Sequence, residues 1–346
     1  MAVRDMAYVE LFTSDERVTV DYFVSAMGFS REAKSTDHDR SSVLLRQGEV
    51  RLVVSSGPAT WKFLDAHGDG IADLAMTCDD VARTRDEAVA AGADVVESAA
   101  GHPVVSGFGG VSHTLLPDAD ADADADAPAT GLLADRRWNA EEAPREPAGG
   151  RIQLLDHVAV CLQGGTLDEY ADYYRDALGF SRYSSEYVDV GGQAMDSIVV
   201  RSASGRVTFT LVAPDPAKGS GQLDAFLERN AGPGVQHLAF LVDDIIPAVH
   251  RYRDRDMEFL NTPASYYDLL AERLGGMKEE VEDLRSAQVL ADRDEWGYLL
   301  QLFSRSPHER NTLFYELIQR RGSRGFGSAN IRALYEAVER DRLGAE

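Results

Sequence analysis

Cysteine is nearly absent: two residues in 346, Cys78 and Cys161. They lie far apart in apolar runs and lack CxxC spacing. That argues against a disulfide scaffold or a thiolate metal site and reads as two small buried thiols in a reducing compartment. No apolar run approaches the roughly 20 residues of a membrane-spanning helix. Met1 to Glu10 lacks the basic-then-apolar order of a secretory leader, so a cytoplasmic location is expected. Basic residues are scarce too, with 35 Lys and Arg against 58 Asp and Glu and a net charge of −23. Such a chain is a poor partner for nucleic acid or an anionic membrane, and neither is expected. A Gly-rich nucleotide fingerprint and a haem-attaching CxxCH are also missing.

What is present is self-similarity. GDGIADLAMTCDD at 68–80 matches GPGVQHLAFLVDD at 232–244 in its glycines, its strand pattern and its closing Asp pair. AYVEL at 7–11 parallels DHVAV at 156–160, and a helix-like stretch then ends in MGF at 27–29 or LGF at 178–180. An ancestral domain has been duplicated. Within each half a β run, a helix and further strands recur, giving four βαβββ-like units. The expected class is α+β: duplicated βαβββ units forming two half-open barrels, with a C-terminal helix over 328–342. The expected division is a scaffold domain over 1–116, an acidic linker over 117–150 and a catalytic domain over 151–346. The linker's DADADADADA at 118–127 reads as a solvated, self-repelling loop or as a cation-binding tract.

Three strands carry chemistry. Alternation places Leu155, His157, Ala159 and Cys161 on one face, and Val235, His237, Ala239 and Leu241 on another. Phe314, Glu316 and Ile318 share a third. Each face is apolar except for one ionisable side chain, which is costly to bury unless it is paired or ligates a metal. A lone His on an apolar strand is as a rule a hydrogen-bonded core residue. Here the duplication argues otherwise, because Tyr8 and Asp73 stand at the equivalent places of the first half, which evidently does without imidazoles there. His113 is isolated and receives no role. Two imidazoles and a carboxylate match a facial triad that leaves open positions on a metal.

LDHVAV (155–160), GPGVQHLAF (232–240), TPASYYDLL (262–270), LLQLF (299–303), FYELIQR (314–320) and GFGSANIRALYEAVE (325–339) together resemble the 4-hydroxyphenylpyruvate dioxygenase family of the vicinal oxygen chelate superfold. The resemblance covers nearly the whole chain. It implies Fe(II) as the sole cofactor, held by His157, His237 and Glu316, with no further catalytic residue. It implies 4-hydroxyphenylpyruvate and O2 as substrates, CO2 as a product and a homodimer. Ser197, Gln301 and, more weakly, Gln222 become substrate contacts, and Val212, Phe326, Ile331 and Tyr335 walls of the pocket. Two outcomes occur on this scaffold, ring hydroxylation to homogentisate and benzylic hydroxylation to 4-hydroxymandelate. Members of the first kind typically carry Phe where this chain has Ile331 and Tyr335, and PLNEP where it reads TLVAP (210–214). All three departures point to benzylic hydroxylation. The alternatives are the homogentisate-forming activity, a metal-free binding protein on the same fold, and a triad loaded with Mn, Zn or Ni.

Overall fold

The computed structural model describes residues 3–118, 136–140, 150–274, 278–330 and 332. Nearly all of the acidic tract, and both Ile331 and Tyr335, lie outside the described residues. Of the expected C-terminal helix only the opening turn, 328–330, and residue 332 fall within them.

One sheet is built from β1 (Val3–Phe12), β2 (Ser30–Thr36), β3 (Ser41–Gln47), β4 (Val50–Ser56), β5 (Gly70–Cys78), β6 (Val95–Glu97), β7 (Pro103–Ser106), β8 (Ser112–Pro117) and β9 (Asn139–Ala140). The other contains β10 (Ile152–Cys161), β11 (Ser181–Val190), β12 (Gln193–Arg201), β13 (Thr208–Pro214), β14 (Gly234–Val242), β15 (Leu290–Arg293), β16 (Tyr298–Phe303) and β17 (Phe314–Arg321). Their strand orders, β6-β7-β8-β5-β1-β4-β3-β2-β9 and β11-β12-β13-β10-β14-β17-β16-β15, are one pattern used twice. In each, the first strands of two units pair antiparallel at the centre, β1 with β5 and β10 with β14. Each first strand is flanked by the last strand of its own unit in parallel, as β10 is by β13 and β14 by β17. The four expected units are therefore present, related in pairs by a pseudo-twofold.

Helices α1 (Glu16–Asp21), α2 (Trp61–His67), α3 (Val81–Ala90), α4 (Leu167–Leu178), α5 (Gln222–Arg229), α6 (Ile245–Arg253), α7 (Ala264–Leu274) and α8 (Lys278–Ala287) connect the strands. The repeated Asp pair has a structural use. Asp80 caps α3 by accepting from the Arg83 amide, and Asp244 holds the same place before α6. α4 begins with Asp168 and Glu169, ends with Arg175 and is closed by left-handed Gly179, φ 72°.

The main apolar cluster draws on both sheets, joining Val9, Leu52 and Leu74 to Val158, Phe209 and Phe240. Phe29 meets Phe240, and Phe23 meets Tyr315, across that seam. The halves thus share a core between them, and each sheet keeps its other face for its own half-barrel. Part of the 117–150 segment is tied down: Asn139 and Ala140 pair with β2, and Arg136 enters the first half-barrel.

Candidate metal centre

The site depends on two bulges. Leu155 pairs with Phe240 and His157 with Ala239, leaving Asp156 as an extra residue on β10. Ala159 pairs with His237 and Val160 with Val235, leaving Gln236 as the extra residue on β14. A bulge re-aims the side chains beyond it. Leu155 and Val235 consequently turn into the shared core, away from the face that strict alternation gave them. His157 and His237 turn the other way, and Glu316 joins them from β17, opposite Ala239.

His157 Nε2 lies 3.5 Å and His237 Nε2 3.2 Å from Glu316 Oε2. One ligand atom from each residue lies within 4.8 Å of the others. Glu316 and His157 are buried, and His237 is partly so. The remaining imidazole nitrogens are engaged: His157 Nδ1 donates to Asp156 Oδ1 at 2.9 Å, and His237 Nδ1 to Gln236 Oε1 at 3.2 Å. Both acceptors are oxygens, so each Nδ1 carries the hydrogen and each Nε2 lone pair faces the carboxylate. Burial lowers the pKa of His237, which favours the neutral imidazole that ligation requires. Two neutral imidazoles and a carboxylate on one face can hold a divalent cation and leave adjacent positions open. Aromatic rings close the surroundings. Phe314 stacks on His237 at 4.9 Å, Phe303 lies edge-on to it at 6.0 Å, and Phe326 meets His157 edge-on at 5.2 Å.

The other expected contacts separate into groups. Val212 lies opposite Cys161 on one side and Ser197 on the other, and Gln301 lies opposite Ile318, which places all three on the ligand-bearing face. Val212 packs with Cys161, Leu223 and Phe226. The Ser197 hydroxyl donates to the Glu186 carbonyl at 3.1 Å. Gln301 is buried beneath Gly327, where a Cβ would lie 2.0 Å from its Oε1. That oxygen has no hydrogen-bond partner among the described residues. Gln222 opens α5 and is exposed, apart from the buried cluster. His113 is a core residue: its Nε2 bonds the Tyr174 hydroxyl at 2.9 Å, and burial pushes its pKa down to about 4.

Sequence reasoning missed Asp156, Gln236 and Arg320. The Arg320 guanidinium donates through Nε and Nη2 to both oxygens of Asp156, each at 2.7 Å. Burial would raise the Asp156 pKa, but these bonds and the His157 bond hold it well below the usual carboxylate range. The available signal was a polar residue immediately before each His.

In the first half the same bulges carry different side chains. Tyr8 pairs with Ala75, and Glu10 with Asp73, leaving Ala7 as the extra residue there. Ala72 is the extra residue on β5. Tyr8 and Asp73 therefore occupy the His157 and His237 positions, as the repeat implied, and Thr114 that of Glu316. Asp73 accepts from the Thr114 amide (3.0 Å), the Thr114 hydroxyl (2.7 Å) and Ser112 Oγ (3.1 Å). Burial, with neighbouring Glu10, nevertheless pushes its pKa up to about 7. An unfolded aspartate loses its proton near pH 4. Folding then takes up a proton between those values, and stability falls as pH rises from about 4 to about 7. Asp73→Asn is expected to flatten that part of the stability profile, measured by urea unfolding across the range. An unchanged slope would show that Asp73 is ionised throughout.

Fold and site together define a vicinal oxygen chelate protein with a two-histidine, one-carboxylate cluster. The profile described as glyoxalase/bleomycin resistance protein/dioxygenase superfamily matches residues 154–302, and that of the hydroxyphenylpyruvate dioxygenase N-terminal domain matches 1–122. The chain belongs to the 4-hydroxyphenylpyruvate dioxygenase family. It is 32% identical to 4-hydroxyphenylpyruvate dioxygenase of Neurospora crassa, over 81% of this chain and 71% of that protein. It is 29% identical to that of Yarrowia lipolytica, over 98% and 92%. Among solved structures it is similar to a triple mutant of 4-hydroxymandelate synthase from Streptomyces coelicolor, at 48% identity and TM-score 0.87, over 99% of this chain and 100% of that one.

Proposed function

We propose that this chain is an Fe(II)-dependent oxygenase that converts 4-hydroxyphenylpyruvate and O2 to 4-hydroxymandelate and CO2. The carboxylate of the α-keto acid leaves as CO2, one oxygen atom of O2 enters the new carboxylate formed at the former keto carbon, and the other enters the benzylic C–H bond. The observation that carries the reading is the convergence of His157 Nε2 and His237 Nε2 on Glu316, with both Nδ1 atoms committed elsewhere. When bound there, iron supplies adjacent open positions for the α-keto acid and O2. The choice of benzylic product is supported by Val212 in an apolar cluster and by the higher identity to the mandelate synthase than to the dioxygenases.

The chain's own part is to orient, hold and shield. Asp156 and Gln236 fix the tautomer and plane of each imidazole. Phe303, Phe314 and Phe326 keep water from the open side. Gln301 Oε1 offers a buried acceptor to a substrate hydroxyl. Ring carbon and benzylic carbon lie only angstroms apart, so the outcome is a matter of how the pocket seats the substrate. Val212 and Ser197 bear on that seating, as do Ile331 and Tyr335.

Incubating the Fe(II)-loaded protein with 4-hydroxyphenylpyruvate and O2, and identifying the product by chromatography and mass spectrometry, tests the reading. 4-Hydroxymandelate is expected. Homogentisate would keep the iron centre and reverse the account of Val212. Gln301→Leu is expected to raise KM for 4-hydroxyphenylpyruvate about tenfold, the loss of one buried hydrogen bond. An unchanged KM would remove Gln301 from the pocket.

A further inference from the structure

Arg320 does more than neutralise Asp156. Its Nη1 donates to the Gly325 carbonyl at 2.7 Å and to the Ser323 carbonyl at 3.4 Å. Its guanidinium carbon sits 5.1 Å from the centre of the Phe326 ring, which in turn meets His157 edge-on. One side chain therefore holds the segment 323–327 on one side and, through Asp156, His157 on the other. The contacts close into a ring: His157 to Asp156, Asp156 to Arg320, Arg320 to Phe326, Phe326 back to His157. The other anchor of the segment is Asp294, which accepts from Ser323 Oγ and from the amides of Arg324 and Gly325. Asp294 makes none of the contacts to His157, so it fixes the segment without linking it to the imidazole.

We propose that Arg320 is a positioning residue that couples the segment 323–327 to the imidazole of His157 through Asp156. The segment sits over the ligand-bearing face, with Phe326 against His157 and Gly327 above Gln301. Fixing His157 by a metal then favours the closed segment, and a closed segment favours the ligating pose of His157, since such coupling is reciprocal. A fork was needed for this. Only a guanidinium can present two parallel donors to a carboxylate and a third to a carbonyl behind it.

The inference rests on the triad holding a metal but not on which product forms. Its test uses Co(II) on the chelator-stripped full chain, followed by titration of Co(II) absorption and by hydrogen–deuterium exchange of 321–327. In the parent chain, saturating Co(II) is expected to slow exchange in that segment. In Asp156→Asn, Co(II) is expected to bind about 10- to 100-fold more weakly, as for loss of a group that orients a ligand. At saturation it should no longer slow exchange there. Arg320→Lys, which keeps the charge and loses the fork, should behave in the same way and guards against misfolding of a larger change. Full retention of metal-dependent protection in both variants overturns the coupling. A parent chain that binds Co(II) with no change in exchange also overturns it. A parent chain that binds no Co(II) overturns the triad reading, and the coupling with it.

Discussion

Glu316→Ala is expected to lower O2-dependent consumption of 4-hydroxyphenylpyruvate by about three orders of magnitude or more, since a metal centre takes several kcal/mol off the barrier. The two imidazoles that face Glu316 Oε2 would remain, but the anionic ligand would be gone. Iron content after anaerobic loading should fall in parallel, as should the rise in melting temperature that a bound ion confers. The metal-free variant should be at least as stable as the parent. A buried carboxylate against two imidazoles is a poor stabilising element, and removing it relieves desolvation. The pattern to look for is thus lost activity and lost metal response with an intact fold. A variant with normal turnover would remove Glu316 from the centre.

The second large effect concerns stability, not chemistry. Arg136 and Glu10 form a bidentate pair with Nη1 at 2.8 Å and Nη2 at 2.7 Å, and each side chain is only 3% exposed. Burial would raise the Glu10 pKa, yet the Arg136 guanidinium, helped by Arg40 and the Ser55 hydroxyl, lowers it below its ordinary value. Arg136→Met should destabilise the chain by about 3–5 kcal/mol, because it leaves Glu10 buried without its bidentate partner and with the more distant Arg40, at 3.6 Å, beside it. Urea unfolding at pH 7 measures this. The double variant Glu10→Gln/Arg136→Met should recover most of the loss, because neither charge is then stranded. Since the folded pKa of Glu10 is depressed, its stabilising contribution is present above the unfolded value near 4 and fades as pH falls below it. A single variant of parent stability would show that water replaces the guanidinium.

The repeat was legible because duplication leaves a pattern that any stretch of sequence can be laid against. It set His157 and His237 at equivalent places of two units and paired Tyr8 and Asp73 with them, whereas Glu316 came from the alternation of its own strand. Register was not legible. A bulge is decided by how two strands distant in sequence slide past each other, so nothing local to Asp156 or Gln236 announced that they would stand out of the ladder. Strict alternation consequently misplaced Leu155 and Val235. Arg136 was hidden for a different reason: it sits in a segment whose acidic, small-residue composition reads as solvated throughout. Gln222 drew attention by resemblance alone, and its exposure at the head of α5 sets it apart from Ser197, Val212 and Gln301. Ile331 and Tyr335, two of the three departures that pointed by resemblance to benzylic hydroxylation, lie outside the described residues.

The bulges of the first half, at Ala7 and Ala72, have no imidazole to aim and no side chain long enough to aim one. They persist because a kink in a central strand pair, once the core has packed around it, cannot be ironed out one residue at a time. The two halves share this backbone shape although only the second has imidazoles for it to aim. The first half is therefore a ready-bent receptacle. Histidines at positions 8 and 73, a glutamate at 114 and an orienting side chain at 7 and 72 would reproduce the donor set of the second. Among the described residues, the Arg136–Glu10 pair and the cluster of Leu44, Val53 and Leu116 with Trp138 against it now occupy that space and would have to give way first.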